Sequence, residues 1–302
     1  MQKTVLACVM RFSTAVRLSV LIAVLAVPAD ALGAATVRTS SVTGRMVVPG
    51  GGPSTLSLRC PAGAVALNAA IAQQGRGVVV RRSIPGAGSG DWSFRVAAGG
   101  AGSRSVSAVL RCVSLRLPEG FTRAHVRVKT QRRMDLLIAP GATGTTQVGC
   151  GSRWTATGYA LSGGRRGDVR LAEVVPSAHG WRFTLENTGS SRARAEVAVR
   201  CLRSKVAATS PGGGTAELRF NVTRPSFTTT FPRGGPQIEA SGCRVGRFNL
   251  AAGGALDPAS TIELLIASPL RERGARWRLA RPQEGDRFTG HTVCLSRRSR
   301  FR

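Results

Sequence analysis

The chain is poor in the side chains from which most active sites are assembled. Of its 302 residues only three are histidine (His125, His179 and His291) and only 15 are acidic, which leaves few partners for a nucleophile–base pair or a metal cluster. No Gly-x-Ser-x-Gly elbow, His-Glu-x-x-His helix or Walker loop occurs. A non-enzyme is therefore expected, with no cofactor and no metal. Aromatics are scarce as well: ten Phe, four Trp and one Tyr (Tyr159) leave the cores to Val, Leu, Ile and Ala. At short alternating spacing, those residues favour small β-domains. Lysine is nearly absent, since Lys3, Lys129 and Lys205 are the only three. Past the first 30 residues no apolar run approaches the roughly 20 residues that a spanning helix needs.

What the chain has in excess is positive charge. The formal net charge is +28, and nearly all of it is arginine. A GC-rich genome replaces Lys by Arg without functional pressure, but acidic residues are not comparably enriched, so the charge itself stands. A field of this size concentrates anionic partners near the surface. The arginines gather at Arg81-Arg82, Arg123 to Arg133, Arg165-Arg166, Arg192 to Arg203 and in the terminal stretch Leu295 to Arg302. Within strands, alternation is expected to turn most of them toward solvent. The end of the chain differs: Arg297, Arg298, Arg300 and Arg302 follow the last of the repeated cysteines, and a free basic tail able to contact a polyanion is expected there. Specific nucleic-acid recognition is not expected, because neither exposed aromatics nor a known module is evident.

From Met10 the sequence MRFSTAVRLSVLIAVLAVPADALGAATV has the make-up of a secretory signal peptide: Arg11 and Arg17, then an apolar stretch from Leu18 to Val27, then small residues. Residues 1–34 are expected to be that signal, with cleavage after Ala34, or after Ala31. Cys8 then lies outside the mature protein, and the mature protein is secreted.

The remaining cysteines carry the clearest pattern. Cys60/Cys112, Cys150/Cys201 and Cys243/Cys294 are separated by 52, 51 and 51 positions and recur every 89 to 93 residues. A tryptophan sits inside each pair: Trp92, Trp181 and Trp277 follow the first Cys by 32, 31 and 34 positions. This is an internal repeat of about 90 residues. Six cysteines allow 15 pairings; if each repeat folds alone, the bonds join Cys60 to Cys112, Cys150 to Cys201 and Cys243 to Cys294. Each would close a loop worth on the order of 4 kcal/mol in the chain-entropy model. The closing strand of the second repeat puts Ala193, Ala195, Val197, Val199 and Cys201 on one face and Arg194, Glu196, Ala198, Arg200 and Leu202 on the other. Trp181, Phe183 and Leu185 alternate likewise with Arg182, Thr184 and Glu186, so the repeated tryptophans are expected as core anchors. Trp154 has no counterpart in the other repeats.

These patterns predict an all-β protein of three tandem antiparallel β-sandwich modules, each with one disulfide, at residues 35–118, 119–209 and 216–302, with a linker at 210–215. The run CPAGAVALNAAIA, followed by RSIPGAGSGDWSFRV and AVLRC, resembles a repeat of secreted bacterial proteins of unknown function with a Cys-Pro-x-Gly start, a Trp and a closing Cys. The resemblance implies secretion and a β-fold. Cys150-Gly151-Ser152 and Cys243-Arg244-Val245 depart from that start. The module size is also immunoglobulin-like, although the Trp lies nearer the second Cys than that topology requires.

For function, the leading expectation is electrostatic association with an anionic envelope or extracellular polymer. Two alternatives are a secreted hydrolase whose site lies between modules, which needs His179, Asp168 and Glu173 in one cleft, and a loop-based adhesin or inhibitor acting through Arg166-Gly167-Asp168.

Overall fold

The computed structural model describes residues 35–74, 77–163, 168–230, 237–256, 264–268, 273–279 and 285–297. The signal peptide expected at residues 1–34 lies outside them. The body from Ala35 onward is all-β and forms one compact unit. Among the described residues, no helix is long and apolar enough to cross a membrane.

The first repeat contributes β1 (Thr36–Val48), β2 (Pro53–Arg59), β3 (Val65–Gln74), β4 (Val78–Pro85), β5 (Asp91–Ala98) and β6 (Arg104–Arg116). The second contributes β7 (Val128–Ile138), β8 (Thr143–Gly149), β9 (Trp154–Gly163), β10 (Val169–Pro176), β11 (Gly180–Asn187) and β12 (Ala193–Arg203). A hairpin follows, β13 (Lys205–Thr209) and β14 (Thr215–Arg219). The third repeat comprises β15 (Val222–Thr223), β16 (Ser226–Thr230), β17 (Gln237–Ser241), β18 (Arg247–Leu256), β19 (Leu264–Ser268), β20 (Gly274–Leu279) and β21 (Arg287–Ser296).

Each repeat uses the same pairing scheme. In the first two, the last strand lies between the first and third, as in β1-β6-β3, and the fifth between the second and fourth, as in β2-β5-β4; in the third the opening strand is split into β15 and β16, so that β21 lies between these and β18, and β20 between β17 and β19. Disulfides Cys60–Cys112, Cys150–Cys201 and Cys243–Cys294 tie the two sheets of each repeat together. Trp92, Trp181 and Trp277 are almost wholly buried.

The sheets do not stop at the repeat boundaries. β4 of the first repeat meets β9 of the second through Arg82 and Ser162, and β10 of the second meets β18 of the third through Val174 and Gly254. β19 packs against β3. One apolar core accordingly draws on all three repeats, with Leu67, Val199 and Phe248 among its members. A second core belongs to the first repeat but includes Ala160 and Ala198 of the second. Residues 210–215, expected as a linker, contain the turn of the β13–β14 hairpin, where the Ser210 amide donates to the Gly214 carbonyl at 2.9 Å.

At the centre, β3, β9 and β18 touch one another. All three carry a bulge at the same place, immediately after the residue opposite the second cysteine, so that Leu67, Thr157 and Leu250 are the extra residues. A bulge bends its strand and re-aims its side chains, and here all three extra residues are buried. The approach is close enough to exclude a side chain at Gly158, where a Cβ would collide with the Leu67 carbonyl oxygen and lie 2.7 Å from the Asn68 Cβ.

Guanidinium groups link the repeats in a cyclic order. Arg200 on β12 donates to the first repeat's Ala66 carbonyl at 2.9 Å and Ser89 carbonyl at 2.6 Å, and to Thr130 at 2.9 Å. Arg224, at the start of the third repeat, reaches the Ala156 carbonyl of the second at 3.5 Å. Ala156 is the counterpart of Ala66, since each faces the second cysteine of its repeat. Arg111 of the first repeat lies over the Phe248 ring of the third, 4.9 Å from its centroid. Burial lowers the Arg200 guanidinium to about 10, which leaves it charged at neutral pH. Arg200 and Arg111 thus depart from the solvent-facing expectation: the second face of their strands packs on a neighbouring repeat, so these positions are interior.

Replacing Arg200 by Met would take its donor from the buried Ala66 carbonyl and leave the Ser89 carbonyl with the Ala66 amide alone. Urea unfolding should show a loss of about 3 kcal/mol. Gly158→Ala should cost roughly 1–3 kcal/mol by the same measurement, whereas Gly212→Ala, which meets no neighbouring atom within 4 Å, should be near neutral.

Candidate functional site: a cationic groove beside the β13–β14 hairpin

The segment from Thr122 to Arg127 runs beside the strands that close the second repeat. Thr122 N donates to Thr209 O and Thr209 N to Arg123 O, both at 3.0 Å, and Arg203 N donates to Arg127 O at 2.9 Å. Ser204 N bonds Arg153 O at 3.1 Å, which attaches the turn before β9 to the same strip of backbone. These main-chain bonds frame an open groove of about 910 Å³. Arg123, Arg127, Arg153, Arg203 and Lys205 line it, with His125 at its rim and Glu217 as its one carboxylate. Arg123, Arg127, Arg153 and Lys205 are exposed, and Arg203 is half-buried.

Glu217 is already engaged. Its Oε1 lies 2.9 Å from both Lys205 Nζ and Arg219 Nε, and these two cations hold its carboxyl below the usual range. Among the described residues, no carboxylate pairs with Arg123, Arg127, Arg153 or Arg203. Serine and threonine hydroxyls, from Ser152, Ser204, Thr209 and Thr215, and small alanines fill the remaining surface. Trp154 follows Arg153 but does not line the groove; Lys129 Nζ stands 4.7 Å from its ring centroid in a cation–π contact.

Two departures from the repeat build this groove. The first and third repeats turn after their first cysteine with a glycine three positions on, Gly63 (φ 76°) and Gly246 (φ 77°). In those turns Ala64 N bonds Pro61 O at 3.0 Å and Arg247 N bonds Arg244 O at 3.1 Å. In the second repeat the positive φ moves to Gly151 (84°), so Arg153 and Trp154 stand where the other repeats have Gly-Ala and Gly-Arg. The β13–β14 hairpin is the other departure, since no strand lies between β6 and β7 at the preceding boundary.

Of the basic tail, Arg297 is half-buried, its amide bonded to Gly246 O at 3.1 Å and its carbonyl accepting from Val37 N at 3.0 Å. That residue is part of the body rather than of a free tail. Arg298, Arg300 and Arg302 lie outside the described residues. So do Arg166 and Gly167 of the Arg-Gly-Asp triplet.

The residues on which the hydrolase alternative depends are dispersed. Asp168 sits at the open end of the β10–β11 hairpin, where its carbonyl accepts from Thr188, while His179 sits at the closed end, its Nδ1 3.4 Å from Trp154 O. The eight residues of β10 separate the two ends, roughly 25 Å. Glu173 lies between them, paired with Arg182 at 2.5 Å and Thr184 at 3.0 Å. A second cleft, of about 1130 Å³ at the junction of the first two repeats, does gather Asp135, Asp168 and Glu196 with Arg82, Arg95 and Arg194, and no histidine lines it. Its charges are mixed and partly paired, as in Arg194–Asp135 at 3.3 Å. Cys294, three residues after His291, is committed to its disulfide.

No family model matches the chain, and a search of curated proteins finds no significant relative.

His291 lies on β21 in a half-buried position that displaces its pKa. Burial lowers it, outweighing the opposing field of Glu173, and the nearby Arg182 adds to the lowering. A folded-state pKa below the unfolded value means that the unfolded chain binds more protons, so stability falls as pH drops through about 6.5. Melting temperatures between pH 8 and pH 5 should show this loss, and His291→Gln should flatten it.

Proposed function

We propose that the chain is an exported β-repeat protein without catalytic activity of its own, which associates electrostatically with anionic polymers of the cell envelope or the extracellular space. Its body reads as three sandwich modules, residues 35–118, 119–209 and 216–302, fused through shared sheets and made behind a signal peptide at 1–34. Three disulfides suit an oxidising compartment outside the cytoplasm.

The observation that carries this reading is the groove in which three exposed guanidinium groups and a half-buried fourth have no carboxylate to neutralise them among the described residues, while the sole acidic residue present is clamped by two other cations. In a protein of net charge +28, long-range attraction brings a polyanion to the surface. Short-range guanidinium hydrogen bonds then hold it.

Oxidised protein titrated with heparin, a teichoic-type polymer and a neutral glycan should bind the two anions and not the neutral chain. Affinity should fall on the order of 10- to 100-fold between 50 and 200 mM salt. Absence of anion binding at low salt would overturn the proposal.

A further inference from the structure

The groove also carries a chemical preference. An anionic ligand there meets cations on its flanks and aliphatic hydroxyls between them: Ser152 and Ser204 on one side, Thr209 and Thr215 on the hairpin. Nucleic-acid strands are held on proteins by a positive track together with aromatic faces on which bases stack. No Phe, Tyr or Trp lines this groove, whose one ring is the His125 imidazole, and the neighbouring Trp154 ring already has the Lys129 ammonium over it. A sugar chain needs no such platform. Its hydroxyls exchange hydrogen bonds with serine and threonine, and its carboxylates or sulfates accept the forked donors of arginine. The flanking strands β13 and β14 run five residues each, so the site is about 17 Å long and takes a short stretch of extended chain.

We infer that the groove between the Arg123–Arg127 segment and the β13–β14 hairpin is a binding site for an acidic polysaccharide, a glycan bearing carboxylate or sulfate groups, with one segment bound per chain. The inference rests on the polyanion-binding reading and narrows it to one site and one class of ligand. Arg127 and Arg153 are the anchoring pair: both are exposed, and their structural hydrogen bonds run through the main chain, so their side chains are available to ligand.

The test is isothermal titration of the oxidised protein from Ala35 onward with four probes of equal charge: a heparin-derived oligosaccharide, an oligogalacturonate, inorganic polyphosphate and oligo-dT. Two double variants are compared, Arg127→Gln/Arg153→Gln in the groove and Arg38→Gln/Arg45→Gln at two exposed positions of β1, which remove the same charge at different places. Melting temperatures of both should stay at the wild-type value. One-to-one binding of the oligosaccharides is expected, weakened about tenfold or more by the groove pair and less than about twofold by the β1 pair. Equal weakening by the two pairs would overturn the groove as the site while leaving diffuse electrostatic association standing. Tighter binding of oligo-dT or polyphosphate than of either oligosaccharide would overturn the ligand class. Failure of wild type to bind any probe at low salt would overturn this inference and the broader reading together.

Discussion

The close meeting of β3, β9 and β18 constrains everything around it. Three strands approach so nearly that Gly158 cannot carry a methyl group, and each strand is bent there by a bulge that sends one more side chain inward. Such an approach buries backbone that a sandwich of ordinary spacing would leave at its edge, and buried carbonyls require donors. The donors at Ala66 and Ala156 are arginines of the next repeat along the chain, Arg200 and Arg224, although they come from different places in their repeats. Packing at the centre thus creates the demand for buried cations, and those cations fix how the repeats are arranged.

The interior and exterior arginines do opposite things with the same chemistry. Arg200 turns each of its three nitrogens to an acceptor that the fold supplies, so its charge is spent on structure. Arg127 and Arg153 stand over a groove whose one carboxylate is already held by Lys205 and Arg219. The net charge of the chain is therefore a poor guide to where binding occurs, and the distribution of acceptors is a better one.

Much of the architecture was legible in the cysteine spacing, which carried the repeat and the disulfide pattern, and in the alternation around Trp181, whose face with Phe183 and Leu185 is wholly buried. The closing strand β12 was read only in part. Its Ala193 to Cys201 face is interior, but Ala198, Arg200 and Leu202 on the other face are buried as well, because that face packs against another repeat and a period-two pattern says nothing about neighbours distant in sequence. The groove left a faint trace. Arg123 to Arg133 and Arg192 to Arg203 stood out as basic clusters, and Trp154 as a residue without a counterpart in the other repeats, but nothing local reveals that these stretches converge beside a hairpin that reads as a glycine-rich linker. The tail at Arg297 was misread for a related reason: a strand end looks free in sequence until the segment that pairs with it is known.

That last contact bears on how the protein is made. The amide of Val37, at the very beginning of the described body, is bonded to the carbonyl of Arg297 near its end, and β19 packs on β3 across most of the chain length. A polypeptide made amino-terminus first can pair the strands of its opening repeat early, while the rest is still being synthesised. It cannot join its two ends until the final strand emerges, so the half-made chain presents an unfinished central seam until synthesis is complete.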